Sequence, residues 1–126
     1  MSGRGHQDFS AAEIDWRPGQ DPGVAYARFM LDDDNSQSPL VILSRFEPGV
    51  RVGAHTHDTN YFEYIIAGEQ IVGKTTFGAG DVRLVKAGTG YGPIVVGPNG
   101  CTVLIVFQHA AAAVTVPLPR AAAVAG

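Results

Sequence analysis

Two histidines one residue apart, His55 and His57, are the part of this 126-residue chain best suited to chemistry. Side chains two positions apart on a β-strand point to the same face, so the sequence predicts that both imidazoles enter one pocket. Imidazoles that converge in this way serve as metal ligands or as general acids and bases. Most other functional predictions depend on which of these roles the pair has.

Three further side chains follow at positions that could bring them to the same pocket. Tyr61 opens the apolar segment after the histidines, and Glu63 lies two residues further, on the same face of the expected strand. A shift in register would instead turn Glu63 outward into solvent. Tyr61 and Tyr91 could serve as acids, as oxyanion donors or as metal-bound phenolates, or they could simply form apolar wall.

The elements expected to position these residues are short strands separated by glycine- and proline-containing turns. The chain contains 16 glycines and only 17% charged residues, and it has almost no helical periodicity. Regularly spaced strands of this kind predict an all-β antiparallel sandwich or barrel. The predicted strands cover residues 24–30, 40–46, 50–57, 61–67, 70–76, 82–86 and 101–108. An edge strand at 114–116 could pair with a second subunit.

Length and composition limit the class of protein. We expect one domain over residues 16–116, a loose arm over 1–15 and a disordered tail over 117–126. A net charge of −3 gives no attraction to nucleic acid or to an acidic membrane surface. The single cysteine, Cys101, is predicted to be a buried thiol, and no apolar segment is long enough to cross a bilayer. The expected location is the cytoplasm.

The pattern around the histidines resembles the first motif of the cupins. Five residues separate Gly49 from His55-Thr56-His57, and Gly68 is the last residue of the motif. A second, degenerate motif starts at Gly80. It has Lys86-Ala87-Gly88 in place of Pro-x-Gly. The resemblance implies a double-stranded β-helix, or jelly-roll barrel, that holds a small molecule and forms a homodimer.

The same resemblance implies a metal site made by three histidines and a glutamate, and this chain departs from it at two positions. Tyr61 stands where the family has its glutamate, and Tyr91 stands at the third histidine. Only the histidine pair carries over directly, so Glu63 is the candidate third ligand. His55, His57 and Glu63 would form a two-histidine, one-carboxylate set for Fe, Mn, Ni or Zn. A site without metal is the alternative.

The function expected from these features is that of a small cupin enzyme acting on an oxygen-rich organic molecule inside the barrel. The chemistry would be metal-assisted or would use His55, His57, Tyr61, Glu63 and Tyr91 as acids and bases, and isomerase, cyclase or lyase reactions are favoured over dioxygenation. Arg45 and Arg83 could hold a substrate carboxylate and Gln108 could lie at the rim. The alternative is a non-catalytic cupin that binds a small molecule.

Overall fold

The computed structural model describes residues 5–113 and 115–117. Within them the chain forms ten strands and two short 3-10 helices, and no α-helix. The 3-10 helices are Ala11–Glu13 and Ala110–Ala112. The strands are β1 (Arg17–Pro18), β2 (Val24–Met30), β3 (Leu40–Phe46), β4 (Arg51–Val52), β5 (His55–His57), β6 (Tyr61–Val72), β7 (Thr75–Gly78), β8 (Val82–Val85), β9 (Ile94–Phe107) and β10 (Thr115–Pro117).

Eight of the strands form one antiparallel sheet, in the order β1-β2-β3-β9-β6-β7, with β4 added against β9 and β8 against β6. The long strands β6 and β9 pair with each other and carry most of this sheet. The other two strands, β5 and β10, pair only with each other. The prediction of an all-β antiparallel fold is confirmed.

Several predicted strand boundaries are wrong. The predicted strand over 50–57 is interrupted at Gly53 and Ala54, and the predicted strands over 61–67 and 70–76 are joined into one strand as far as Val72. The last long strand begins at Ile94, seven residues before the predicted start. The edge strand is present as β10, where it pairs with β5 of the same chain. The tail predicted to be disordered lies, from residue 118 onward, outside the described residues.

Strand β6 brings alternate side chains to the inner face of the sheet. Tyr61, Glu63 and Ile65 are buried, whereas Tyr64 and Ile66 are exposed on the outer face. Two register shifts against β9 then follow, between residues 65 and 67 and between 68 and 70. Because of these irregularities Gln70 is also buried, although a strict period of two would place it on the face opposite to Glu63.

Two groups of buried apolar residues fill the interior. The larger group contains Leu40, Tyr61, Val72, Val85, Tyr91, Ile94 and Phe107. The smaller group contains Ile65, Val96, Cys101 and Val103. The predicted burial of Cys101 is confirmed, and burial raises the pKa of its thiol to about 12. This thiol therefore stays protonated at neutral pH and is a poor nucleophile.

The outer face of β6 and β8 carries exposed apolar side chains, including Ile66, Val82 and Leu84. The sequence predicts a homodimer, and that remains a prediction.

In the part of the chain that the structure describes, no helix has both the length and the apolar character needed to span a membrane.

Gly68 is required where β6 passes close to Gly100, at an irregularity in the pairing of β6 with β9. Its φ is +76°, and a Cβ built there would collide with the backbone carbonyl of Gly100. Backbone atoms cannot move aside without breaking the pairing of the two longest strands. The glycine that ends the cupin-like motif is therefore needed for packing as well as for its conformation.

We predict that Gly68→Ala lowers the free energy of unfolding far more than Gly80→Ala. Gly80 also has a positive φ, +92°, but a Cβ there would meet nothing within 4 Å. Gly80→Ala should therefore cost only the conformational strain of about 1–2 kcal/mol. Gly68→Ala adds the backbone collision. Urea unfolding of both variants measures the difference, and equal losses would contradict the close approach.

Candidate functional site

The inner face of the sheet and strand β5 enclose a cavity of about 410 Å³. This volume lies in the range of small-molecule sites. Its polar lining consists mainly of His55, His57, Tyr61, Glu63, Gln70 and Tyr91. Its apolar wall includes Ile42, Phe46, Val52, Ile94, Val103, Ile105 and Phe107. The five candidate catalytic residues predicted from the sequence are thus brought together in one cavity.

Both imidazoles are oriented by backbone carbonyls. Nδ1 of His55 lies 2.9 Å from the carbonyl oxygen of Gly53, and Nδ1 of His57 lies 3.0 Å from that of Ala113. A carbonyl oxygen only accepts hydrogen bonds, so each Nδ1 carries the hydrogen. In the neutral ring the lone pair is then on Nε2. Each histidine can therefore act as a base or a ligand through Nε2.

Tyr91 is bound directly to His55. Its Oη lies 3.0 Å from Nε2 of His55, and the two residues also form a backbone bridge. Because Nδ1 of His55 carries the hydrogen, the phenol donates to Nε2. Burial raises the pKa of Tyr91 to about 12, so the phenol keeps its proton at neutral pH. The pair is a fixed hydroxyl–imidazole contact.

Tyr61 carries a buried hydroxyl with no hydrogen-bond partner among the described residues. Its ring packs against the rings of His57 and Phe107, with centroids 5.2 Å away in each case. Burial raises the pKa of Tyr61, chiefly by removing the phenol from water, and the nearby Tyr91 hydroxyl raises it further. The phenol is therefore protonated and can only donate or accept as a neutral group. An unsatisfied buried hydroxyl is rare and costs free energy, which makes it a candidate for binding a ligand oxygen.

Glu63 points into the cavity and is held by two side chains. Gln70 donates from Nε2 to one carboxylate oxygen at 2.6 Å, and Arg83, its cross-strand neighbour, donates to the other at 3.2 Å. Both charged side chains of this ion pair are almost fully buried. Burial raises the pKa of Glu63, and the positive charge of Arg83 opposes this without cancelling it.

The three predicted metal ligands do not form a ligand set. Over residues 5–113 and 115–117, no group of three or more His, Cys, Asp or Glu side chains is placed to hold a metal ion. Both oxygens of Glu63 are bound by Gln70 and Arg83, and Nε2 of His55 accepts the hydrogen bond of Tyr91. The donor atoms that Glu63 and His55 would offer a metal are therefore engaged by other side chains, and the predicted set does not fit one.

The residues predicted to bind substrate lie outside the cavity lining. Arg45 is exposed, and its guanidinium stacks 3.8 Å from the ring centroid of Trp16 on the outer surface. Gln108 is exposed and accepts a hydrogen bond from Asn60. Arg83 is inside the protein, where it forms an ion pair with Glu63. Its guanidinium lies over the ring of Tyr91, 4.6 Å from the ring centroid. None of the three side chains lines this cavity, and their roles in substrate binding remain predictions.

Two parts of the site were missed from the sequence. Gln70 is a lone polar residue in an apolar strand, and such a residue is a signal of a buried polar contact. Strict alternation would place it on the face opposite to Glu63, but the register shifts of β6 turn it to the same face. The Ala113 carbonyl that orients His57 belongs to an alanine-rich segment with no local pattern that points to a site.

The fold is shared with known proteins, although no family model and no curated protein sequence matches this chain. The polyketide cyclase RemF from Streptomyces resistomycificus superposes with a TM-score of 0.76 at 14% identity, over 90% of this chain and 86% of that one. KdgF from Halomonas sp. gives 0.64 at 18% identity, over 82% and 95%. Oxalate decarboxylase from Bacillus subtilis gives 0.68 at 21% identity, over 87% of this chain and 31% of that one.

These similarities show the fold. The protein is a small single barrel of the cupin fold, with the jelly-roll architecture that the motifs predicted. The chain spans about a third of the length of oxalate decarboxylase and most of the length of RemF and KdgF.

We predict that Glu63 makes stability depend on pH in the direction opposite to that of an ordinary surface carboxylate. A raised pKa means that the folded state binds the proton more tightly than the unfolded chain, where a glutamate titrates near 4.3. The protonated carboxyl therefore favours folding at acid pH, and that contribution is lost as the pH rises through the folded pKa.

The comparison is wild type against Glu63→Gln by urea unfolding at about pH 4 and pH 8. The wild type should lose stability relative to the variant on going to the higher pH. The reverse trend would show that Arg83 lowers the pKa of Glu63 below its unfolded value.

Proposed function

We propose that the protein is an enzyme that moves a proton on a small carbonyl compound inside the barrel, without a metal ion. Isomerisation, cyclisation and elimination next to a carbonyl all begin with such a transfer. The proposal is supported above all by the buried hydroxyl of Tyr61, which has no partner among the described residues and faces the cavity beside His57. A substrate oxygen at this position would satisfy it.

In this proposal Tyr61 is the oxyanion donor. When a proton leaves the carbon next to a carbonyl, negative charge develops on the carbonyl oxygen. A protonated phenol in a site removed from water stabilises this charge through a hydrogen bond that strengthens in the transition state. The raised pKa of Tyr61 suits this role, because the phenol does not ionise before substrate binds.

His57 is the proposed general base. The carbonyl of Ala113 holds the hydrogen on Nδ1, so Nε2 has the lone pair that accepts the substrate proton. The ring becomes an imidazolium and returns the proton to another carbon in an isomerisation, or to a leaving hydroxide in an elimination. For His55 to act in the same step, Tyr91 would first have to release its Nε2.

The cavity also favours a substrate with an apolar body. Much of the remaining lining is formed by aliphatic and aromatic side chains, among them Ile42, Val52 and Phe107. An aromatic or aliphatic ketone would place its oxygen at Tyr61 and its hydrocarbon against this wall. The name of RemF, a polyketide cyclase, and that of oxalate decarboxylase agree with an oxygen-rich substrate.

Proton transfer can be tested without knowing the natural substrate. Aryl methyl ketones, hydroxyketones and keto acids are incubated with the protein in D2O, and proton NMR follows the loss of the hydrogens next to the carbonyl. We expect the wild type to accelerate exchange for at least one class and His57→Asn to abolish it. Binding is detected separately, as shifts in the protein spectrum. If ketones bind but their hydrogens exchange no faster than in buffer, the protein is a non-catalytic binding protein.

We predict that Tyr61→Phe separates activity from stability. Loss of one oxyanion donor should lower the exchange rate about 100- to 1,000-fold. Removal of an unsatisfied buried hydroxyl should at the same time raise the free energy of unfolding by about 1 kcal/mol. Tyr64→Phe is the matched control, since Tyr64 is on the same strand with its side chain outside the barrel.

The control should change neither quantity. A Tyr61→Phe variant that loses stability would mean that the hydroxyl has a structural partner, and one that keeps full exchange activity would remove Tyr61 from the mechanism.

A further inference from the structure

The last described part of the chain runs back along the histidine strand. It consists of residues 110–113 and 115–117 and is called here the C-terminal strap. Its strand β10 pairs with β5 and with no other described strand. The register places Thr115 opposite His57, Val116 opposite Thr56 and Pro117 opposite His55. The strap thus covers the backbone that carries both imidazoles.

The strap is fixed to the barrel where it begins. The backbone N–H of Ala110 donates to the carbonyl of Ser38 at 2.9 Å, and that of Ala111 donates to the carbonyl of Ser36 at 2.9 Å. Ser38 is itself buried and donates to the carbonyl of Pro39. These contacts hold the strap between the loop after β2 and strand β5, and they place Ala113 in the cavity wall.

The two imidazoles differ in how they are anchored. His55 donates to Gly53, a residue of its own loop, so this contact is formed locally. His57 donates to Ala113, which is 56 residues away in sequence and belongs to the strap. Loss of the strap would therefore remove the Nδ1 acceptor of His57 and leave that of His55 in place.

We propose that the C-terminal strap is a positioning element of the site: the carbonyl of Ala113 holds the hydrogen of neutral His57 on Nδ1 and so directs the Nε2 lone pair into the cavity. A ring nitrogen in contact with a carbonyl oxygen must carry the hydrogen, which leaves the lone pair of the neutral ring on the other nitrogen. Without the strap, the neutral ring can carry its hydrogen on Nε2. In that tautomer His57 presents an N–H to the cavity and cannot accept a proton there.

The consequence for turnover rests on the proposed function, since it requires His57 to act as the base. The tautomer itself does not, because it follows from the hydrogen bond alone. The chain contains four histidines, His6, His55, His57 and His109, and all four remain in a chain that ends at residue 109. The ring nitrogens of each can therefore be followed in every variant.

The experiment compares ring nitrogen-15 NMR spectra of the full chain, a chain ending at Pro117 and a chain ending at His109, at a pH where the rings are neutral. We expect the hydrogen of His57 on Nδ1 in the full chain and in the chain ending at Pro117, which keeps the strap. In the chain ending at His109 we expect a mixture of tautomers or Nε2–H at His57, with His55 unchanged as Nδ1–H.

Three results would overturn the proposal: Nε2–H at His57 in the full chain, an unchanged Nδ1–H after removal of the strap, or a change at His55 as large as that at His57. A chain ending at His109 that has lost the folded spectrum would also overturn it, because the strap would then be needed for folding and not specifically for His57. Ketone exchange by the same chains separates the two proposals. A tautomer change in proteins that never catalyse exchange refutes the function and leaves the positioning role intact.

Discussion

The site depends on two backbone hydrogen bonds, each of which holds an imidazole with its Nδ1 hydrogen on a carbonyl oxygen. A histidine ring that can rotate or change tautomer offers a base in some conformations and a donor in others. Here Gly53 and Ala113 each hold one ring so that Nε2 is directed to the cavity. This constraint costs the protein little, because an N–H to carbonyl bond is an ordinary contact.

Tyr61 and Tyr91 determine which chemistry is open to the Nε2 atoms of the two histidines. At the positions where the cupin motifs have metal ligands, this chain places two phenols whose pKa values burial raises. A phenol that keeps its proton is a donor and a poor ligand. Tyr91 uses its hydrogen on His55, whereas the Tyr61 hydroxyl has no partner among the described residues. Glu63 was the predicted replacement ligand, but Arg83 and Gln70 bind both of its oxygens. The cavity thereby presents polar hydrogens and imidazole lone pairs at the positions where the motif resemblance implies metal ligands.

The sequence was sufficient for the fold and for the central residues of the site, because both depend on local patterns. Alternation places Tyr61 and Glu63 on one face, and the motif glycines mark turns such as Gly49, where φ is +77°. What it could not supply was information carried by contacts between distant residues. The bulges of β6 depend on its pairing with β9, and they decide the direction of Gln70. The partner of Glu63 is Arg83, for which the sequence suggested a substrate carboxylate instead, and the acceptor for His57 lies beyond the last long strand, β9.

The central claim is that this cupin-fold site acts through imidazole and phenol groups without a metal, and metal content tests it most directly. Protein produced without an affinity tag and without added metal is analysed by plasma mass spectrometry, before and after incubation with Fe, Mn, Ni and Zn salts. We expect far less than one equivalent of any transition metal per chain, and no stoichiometric uptake when the metal salts are added. One equivalent of a single metal, lost in a His57→Ala variant, would contradict it and would mean that Glu63 leaves Arg83 to complete a metal site.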